Sequence, residues 1–366
     1  MLYQSSSAAA QTAYAVLSLA ARQAELSRSI ADVPGGFARK LVKGHAYWYY
    51  QYRQGDGRTL QLFVGPENAE TMALMAAHAD PVHRAAAEHL KTLSRSAEAL
   101  GCSTAIPKHA RVFRRLADHG FFRAGGVLIG THAFLVYQNL LGVVWSGANV
   151  TMDIDFAHSG KHLSLALPSN VAADTHVAID SLWMGFVPTV GRTTYKKADE
   201  PDFDLDFVTS KGRAGDAPIF VPAFNITLQP LPFMEFSMED TAVAALITAQ
   251  GPIVVNVPRP ERYAVHKLIV SGERAQAMRT QANKDLAQAA SLIDYLAEND
   301  PDALADAWND AWNDAVSRGP GWKRRAVDGA RRAAKSFDVI AAPIERLMKS
   351  AASRVAPEKL KKPGKL

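Results

Sequence analysis

Two acids, Asp153 and Asp155, stand one residue apart in TMDIDFA (151–157), a stretch otherwise rich in strand-favouring apolar residues. In an extended strand successive side chains point to opposite faces, so the two carboxylates share one face and Ile154 and Phe156 the other. Like charges this close repel unless a cation or a proton relieves them, and withdrawing either from water unpaired is costly. The stretch therefore predicts a sheet with one face in a core and the other aimed at something cationic. A hard divalent ion, Mg²⁺ or Mn²⁺, takes oxygen ligands of this kind.

A later segment repeats the pattern. DFDLDFVTS (202–210) alternates Asp202, Asp204 and Asp206 onto a single face. Carboxylates from adjacent strands can hold two metal ions about 4 Å apart, which clamp the attacking and leaving oxygens in phosphoryl-type transfer. This segment supplies a candidate third carboxylate, with Asp202, Asp204 and Asp206 all available. Upstream, GGVLIGTHAF places Gly130 and Thr131 at the exit of a strand and the entrance to a helix. Backbone N–H groups at a helix start favour phosphate oxygens, glycine admits close approach and the threonine hydroxyl can donate. Strand, Gly-Thr, helix and Asp-x-Asp strand together specify far more than any one piece.

The surrounding chain reads as an α+β protein in six segments. Residues 1–33 are an N-terminal helix, stopped by Pro34, Gly35 and Gly36. Residues 34–66 are an aromatic β-hairpin module: LVKGHAYWYYQYR and TLQLFVG are strands and GDG (55–57) the turn. Tyr47 and Tyr49 are expected on one face, with Trp48, Tyr50 and Tyr52 on the other. Residues 67–119 are a helical connector, and 120–258 the core, with LSLALP (163–168) as a further strand and a helix near 171–182. Residues 259–318 return to helices, where Leu304, Trp308 and Trp312 recur at helical spacing as core. Residues 319–366 are a basic tail.

Composition narrows the setting. The one cysteine, Cys102, leaves no disulfide framework and no cysteine-based zinc cluster, which suits a reducing, cytoplasmic compartment. Residues 8–22 imitate a signal core, but polar interruptions and the lack of a preceding basic residue favour an amphipathic helix. No run approaches the roughly 20 apolar residues of a membrane span. The net charge of +5 is uneven. From Arg318 to Leu366 there are 14 Lys/Arg against 4 Asp/Glu, a balance of +10 that leaves −5 for the rest. That tail (318–366) and the hairpin region 39–58, where Arg39, Lys40, Lys43, Arg53 and Arg58 surround the aromatics, are candidate nucleic-acid contacts.

These stretches together resemble the nucleotidyltransferase-fold proteins of the DNA polymerase β superfamily. The closest likeness is to a bacterial branch with an N-terminal helix and aromatic hairpin, related to abortive-infection and toxin nucleotidyltransferases. The matching segments are KGHAYWYYQYR, FVGPENAE, DHGFFRAGGVLIGTHAFLVYQNLLGV, TMDIDFA, PRPERYAVHKLIVSGER and KDLAQAASLIDYL, spanning about residues 35–315. The resemblance implies a polymerase-β-like core of mixed sheet and helices, in which Gly130 and Thr131 bind NTP phosphates. Asp153, Asp155 and Asp206 would hold metal, with Asp206 also helping to deprotonate the acceptor hydroxyl. Lys267, Lys284 and Asp285 would contact nucleotide. The family more often carries Ser where this chain has Thr131, and the interval from Gly130 to Asp153 is longer than in minimal members.

The activity so implied is transfer of a nucleoside monophosphate from an NTP to an acceptor hydroxyl on RNA, such as a tRNA end, on a protein or on a small molecule. A toxin–antitoxin or phage-defence role, with an antitoxin-like partner, comes with the related branch. The alternative is a non-catalytic nucleic-acid-binding or regulatory protein on the same fold.

Overall fold

The computed structural model describes residues 1–27, 36–42, 44–53, 59–79, 81–147, 153–158, 174–211, 215–273, 279–318 and 320–354. The expected GDG turn and the LSLALP strand lie outside these residues. The chain forms two compact units. One comprises 5–144 and 150–258; the other comprises 1–4, 145–149 and 259–366.

Strands are numbered in chain order from β1 (Tyr3–Ser5). Within the first unit, β2 (Gly36–Val42), β3 (His45–Arg53) and β4 (Thr59–Pro66) form an antiparallel three-stranded sheet. The aromatic hairpin is β3 and β4, and a third strand joins it. Leu41 and Val42 belong to β2 because the chain reverses at Gly44, whose φ of +83° suits glycine. A register shift between Trp48 and Tyr49 also breaks the simple alternation of the aromatics. Tyr50 is the one seated in this sheet's own small core, edge-on to Phe37.

The main sheet is mixed, as the α+β expectation requires. Its strands are β5 (Val127–Leu128), β7 (Ile154–Ala157), β8 (Phe186–Pro188), β9 (Thr194–Lys197), β10 (Asp204–Ser210), β11 (Ile219–Val221), β12 (Ile226–Leu231), β13 (Thr241–Leu246) and β14 (Ile253–Pro258); β6 (Val143–Trp145) is not part of it. The order is β11-β12-β10-β7-β5-β14-β13. The first half of β10 also pairs antiparallel with β9, which pairs with β8. β10 and β7 run parallel, so they lie side by side without a hairpin between them.

The buried face of β7 and β10 carries the residues that alternate with the acids. Ile154, Phe156, Leu205 and Phe207 are all fully buried, and the rings of Phe156 and Phe207 stack at 5.1 Å. Phe113, Phe121 and Phe122 pack edge-on or tilted around Phe156. Burial of one such aromatic is worth about 1.5–3 kcal/mol. This cluster thereby fixes which face the intervening aspartates present, because a slip of one residue would exchange the faces.

In the second unit, helices Pro260–Glu273, Arg279–Asn299, Pro301–Arg318, Pro320–Ser336 and Ala341–Arg354 pack together. Leu304, Trp308 and Trp312 are buried core, with the two indoles stacked at 6.2 Å. The segment expected as a basic tail is folded here over 320–354. Ala326, Ala330 and Ala333 form a buried small-residue stripe, and Gly329 lies directly on the Leu268 carbonyl. A Cβ on Gly272 would stand 2.6 Å from the Arg325 carbonyl oxygen. Glycine and alanine let these two helices approach closely, and Arg332 donates across to the Ser271 carbonyl at 2.6 Å. Residues 355–366 lie outside the described ones.

Candidate active site

The site begins with the register of β10 on β7. Asp206 pairs with Asp155, and on the buried side Leu205 pairs with Ile154. Neighbours in register on adjacent strands project from the same face, so Asp155 and Asp206 stand side by side on the face away from the phenylalanine cluster. One position further back come Asp204 and Asp153, each two residues from its partner in sequence and so on the same face. All four are partly withdrawn from solvent.

Gly130 closes this row from the other side. It opens the helix Gly130–Leu141 directly after β5, with φ +61°. A Cβ built on it would run into Oδ2 of Asp155. Glycine is needed twice here, for its left-handed backbone and for the contact with the carboxylate. The Ile129 N–H donates to the Asp155 carbonyl at 3.1 Å, which pins the strand-to-helix turn against β7. Thr131 is buried at the first turn of the same helix. The positive end of a helix thus sits over a carboxylate, an arrangement that favours negative charge at that point.

On the far side the row ends at β9. Thr194 is in register with Asp206, and its Oγ1 donates to Asp206 Oδ1 at 2.6 Å. Lys196 is in register with Asp204, and its Nζ donates to Asp204 Oδ2 at 2.6 Å. Burial pushes the Asp206 carboxyl above its ordinary range, the Thr194 hydrogen bond opposes this, and the charge of Asp204 adds to it. Lys196 is held above its ordinary range by the hydrogen bond and charge of Asp204, with further contributions from Asp206 and Asp153. One ammonium therefore feels three of the four carboxylates.

Asp204 and Asp206 differ in position. Asp206 is the register partner of Asp155, while Asp204 is engaged by Lys196. The donor set suits a hard divalent cation, being carboxylate oxygen throughout. A second observation agrees: Oδ1 of Asp204 is buried with no hydrogen-bond partner, an acceptor with capacity for a cation. Among the described residues no group of three or more His, Cys, Asp or Glu side chains is gathered at metal-binding spacing. Thr194 and Lys196 engage Asp206 and Asp204 from β9.

The remaining candidates belong to the other unit. Lys267 Nζ donates to Asp285 Oδ1 at 2.6 Å, with Asp285 buried and the ammonium 5.3 Å from the centre of the Tyr263 ring. Tyr263 in turn donates to Gln288 at 2.8 Å, so the two helices share a buried polar network. Lys284 is half-buried on the same helix as Asp285. His266 is packed in the interior. Around the hairpin, Arg39 is ion-paired with Glu67 at 2.6 Å and Lys40 lies over Tyr49, whereas Lys43, Arg58 and the Arg53 side chain are outside the described residues.

Thr194 and Lys196 are not marked by any motif. The usable signal was the alternation in TTYKK, where Tyr195 is buried between two outward polar residues, but it becomes informative only once β9 is known to lie beside β10.

A family model described as nucleotidyltransferase matches residues 107–313 of the chain. That span contains β5, β7, β9 and β10 and every candidate site residue. No curated protein and no solved structure matches.

Proposed function

The chain belongs to the nucleotidyltransferase family, and from that premise we propose that it transfers a nucleoside monophosphate from an NTP to a polynucleotide hydroxyl, with divalent metal held by Asp153, Asp155 and Asp206. The observation that carries this reading is the Asp155–Asp206 register pair lying against Gly130 at a helix start.

The chemistry follows from the row. Backbone N–H groups at Gly130–Thr131 and the Thr131 hydroxyl hold the triphosphate oxygens. Divalent metal bound by the aspartates supplies neutralisation of the charge that develops on the phosphoryl oxygens. The acceptor oxygen bonds to the α-phosphorus, the bond from that phosphorus to the β-phosphate oxygen breaks, and pyrophosphate leaves. The acceptor proton passes to a carboxylate, and Asp206 is suited to it because burial raises its proton affinity. Thr194 fixes the orientation of that carboxylate. The protein contributes position and charge and forms no covalent intermediate.

Lys267 and Asp285 spend their charges on each other, and we assign them to holding their helices together; Lys284 is proposed as a nucleotide contact on the resemblance alone. The resemblance to the toxin and abortive-infection branch supports a toxin-like or defence role controlled by an antitoxin-like partner. No helix among the described residues is long and apolar enough to cross a membrane.

Incubation with α-labelled NTPs, Mg²⁺ and total RNA tests the reading. Label is expected in RNA and absent with Asp153→Ala. Failure to label RNA, protein or any metabolite would sink it. Nucleic-acid binding that ignores both NTP and Asp155→Ala would instead identify a non-catalytic binding protein.

A further inference from the structure

We propose that Lys196 is a stand-in cation: its ammonium fills one cation position of the acid row before nucleotide arrives, and it yields that position to a divalent ion once a triphosphate is bound. The inference rests on the nucleotidyltransferase reading and adds to it a residue that sets when the row takes metal.

The pair that Lys196 makes with Asp204 is unequal. Its Nζ donates to Asp204 Oδ2 at 2.6 Å, with the lysine side chain 59% exposed and the aspartate 16%. The acid is carried by β10 within the sheet, whereas the ammonium rides on a flexible stem that can turn out to water. An ion pair open to solvent on the cation side is worth little and exchanges easily. Nor does the ammonium satisfy the acid fully, because Asp204 Oδ1 is buried with no hydrogen-bond partner. The next lysine on β9 is the reverse case. Lys197 points to the opposite face, is 9% exposed, and holds two more exposed acids, Asp199 at 2.6 Å and Glu200 at 2.9 Å. A buried ammonium cannot leave its partners cheaply, so the pairs of Lys197 are structural. Those of Lys196 are exchangeable.

Position gives Lys196 its reach. Asp204 lies two residues before Asp206 on one face of β10, and Asp206 is the register partner of Asp155. The charges of Asp206 and Asp153 act on the same ammonium, which is held above its ordinary range chiefly by its hydrogen bond to Asp204. It therefore stands among the acids that would ligate a divalent ion, where two cations disfavour each other. Metal arriving alone must compete with it. A bound triphosphate changes the balance in two ways: it brings further oxygen ligands to the ion, and its negative charge offers the ammonium another partner. Metal is then taken together with the nucleotide and not ahead of it. Thr194, in register with Asp206, engages its acid with a neutral hydroxyl and poses no such competition.

Mn²⁺ binding to the full chain, followed through the electron paramagnetic resonance of the free ion, reads this competition without turnover. Lys196→Met keeps the stem and removes the charge. It is expected to bind Mn²⁺ about tenfold more tightly than the wild type, the scale on which one nearby charge shifts a carboxylate. Lys196→Arg keeps the charge and is expected to match the wild type. With saturating α,β-methylene-ATP the gap between Lys196→Met and the wild type is expected to close. Lys91, on the helix Pro81–Ala99 and beside Gly251 at the turn between β13 and β14, supplies the control for overall charge. Lys91→Met should leave Mn²⁺ affinity unchanged. Unchanged or weaker Mn²⁺ binding by Lys196→Met overturns the inference. So does equal tightening in Lys91→Met, or an advantage of Lys196→Met that persists when nucleotide is bound. Absence of Mn²⁺ binding by the wild type, with and without α,β-methylene-ATP, defeats the nucleotidyltransferase reading itself and the inference falls with it.

Discussion

Asp285, among the C-terminal helices, and Asp206, on the main sheet, are both largely withdrawn from water, and their surroundings differ in kind. Asp285 takes the ammonium of Lys267 at 2.6 Å within a network that also satisfies Tyr263 and Gln288. Asp206 takes a neutral hydroxyl and stands beside two further carboxylates, so its charge is only partly compensated. A closed pair returns the desolvation cost within the fold and does little else. Asp206, raised above its ordinary range by burial and by the charge of Asp204, keeps part of that cost, as groups at binding sites often do.

The largest effect expected of this contrast is on activity. Asp155→Ala should lower monophosphate transfer by about 10⁴-fold, roughly 5.4 kcal/mol, while leaving the melting temperature of the metal-free protein unchanged or higher because a like charge is gone. A fall in activity matched by a fall in stability would show that Asp155 is structural and break the comparison. Asp285→Ala is the converse. It leaves Lys267 uncompensated and should cost about 3–5 kcal/mol of stability, read as a lowered urea midpoint, with transfer per folded molecule retained. A raised KM for NTP at constant stability would return Asp285 to the nucleotide site.

A third effect concerns a buried histidine. His109 and His132, on the helices Pro107–Asp118 and Gly130–Leu141, are both buried, with His132 Nε2 and His109 Nδ1 2.8 Å apart. Burial, with the charge of Lys108 adding to it, pushes His109 down to about 4. The unfolded chain binds that proton near pH 6.5 and the folded chain does not, so stability is intact above pH 6.5 and is lost as pH falls towards 4. The loss from His109 alone is of order 3 kcal/mol at about 1.4 kcal/mol per unit. His119, also pushed down to about 4 by burial, adds to it. Thermal melts across this window should fall steeply for the wild type and less for His109→Phe. Identical profiles would mean that the histidine pair takes up its proton without opening the core.

What could be read in advance follows the same division. Asp153, Asp155, Ile154 and Phe156 were assignable because period two fixes faces before any partner strand is known. The placing of Asp206 and Asp204 relative to Asp155 was not, since it depends on the register between β10 and β7, which are separated by an interval of more than forty residues. Thr194 and Lys196 escaped for a related reason: β9 gains meaning from lying beside β10. In the tail, charge weighed over the whole segment carries no sign of packing. Its alanines and glycines, spaced to bury one side of a helix against Gly272, decide that 320–336 packs.

Gly130 gives the smallest effect and the sharpest test of the row's geometry. Alanine at φ +61° carries a left-handed penalty of about 1–2 kcal/mol, and its Cβ would displace the Asp155 carboxylate from beneath the helix start. The variant should therefore melt only a few degrees lower, yet lose nucleotide affinity out of proportion to that change. Gly142, at the other end of the same helix with φ +66°, supplies the internal control. There a Cβ meets the Gln11 side chain, a flexible group on the surface at 2.9 Å, so Gly142→Ala carries the same backbone strain with no carboxylate to move. If both alanines reduce nucleotide binding alike, strain in the helix accounts for the loss. If only Gly130→Ala does, the contact between a glycine and an aspartate is what positions the triphosphate.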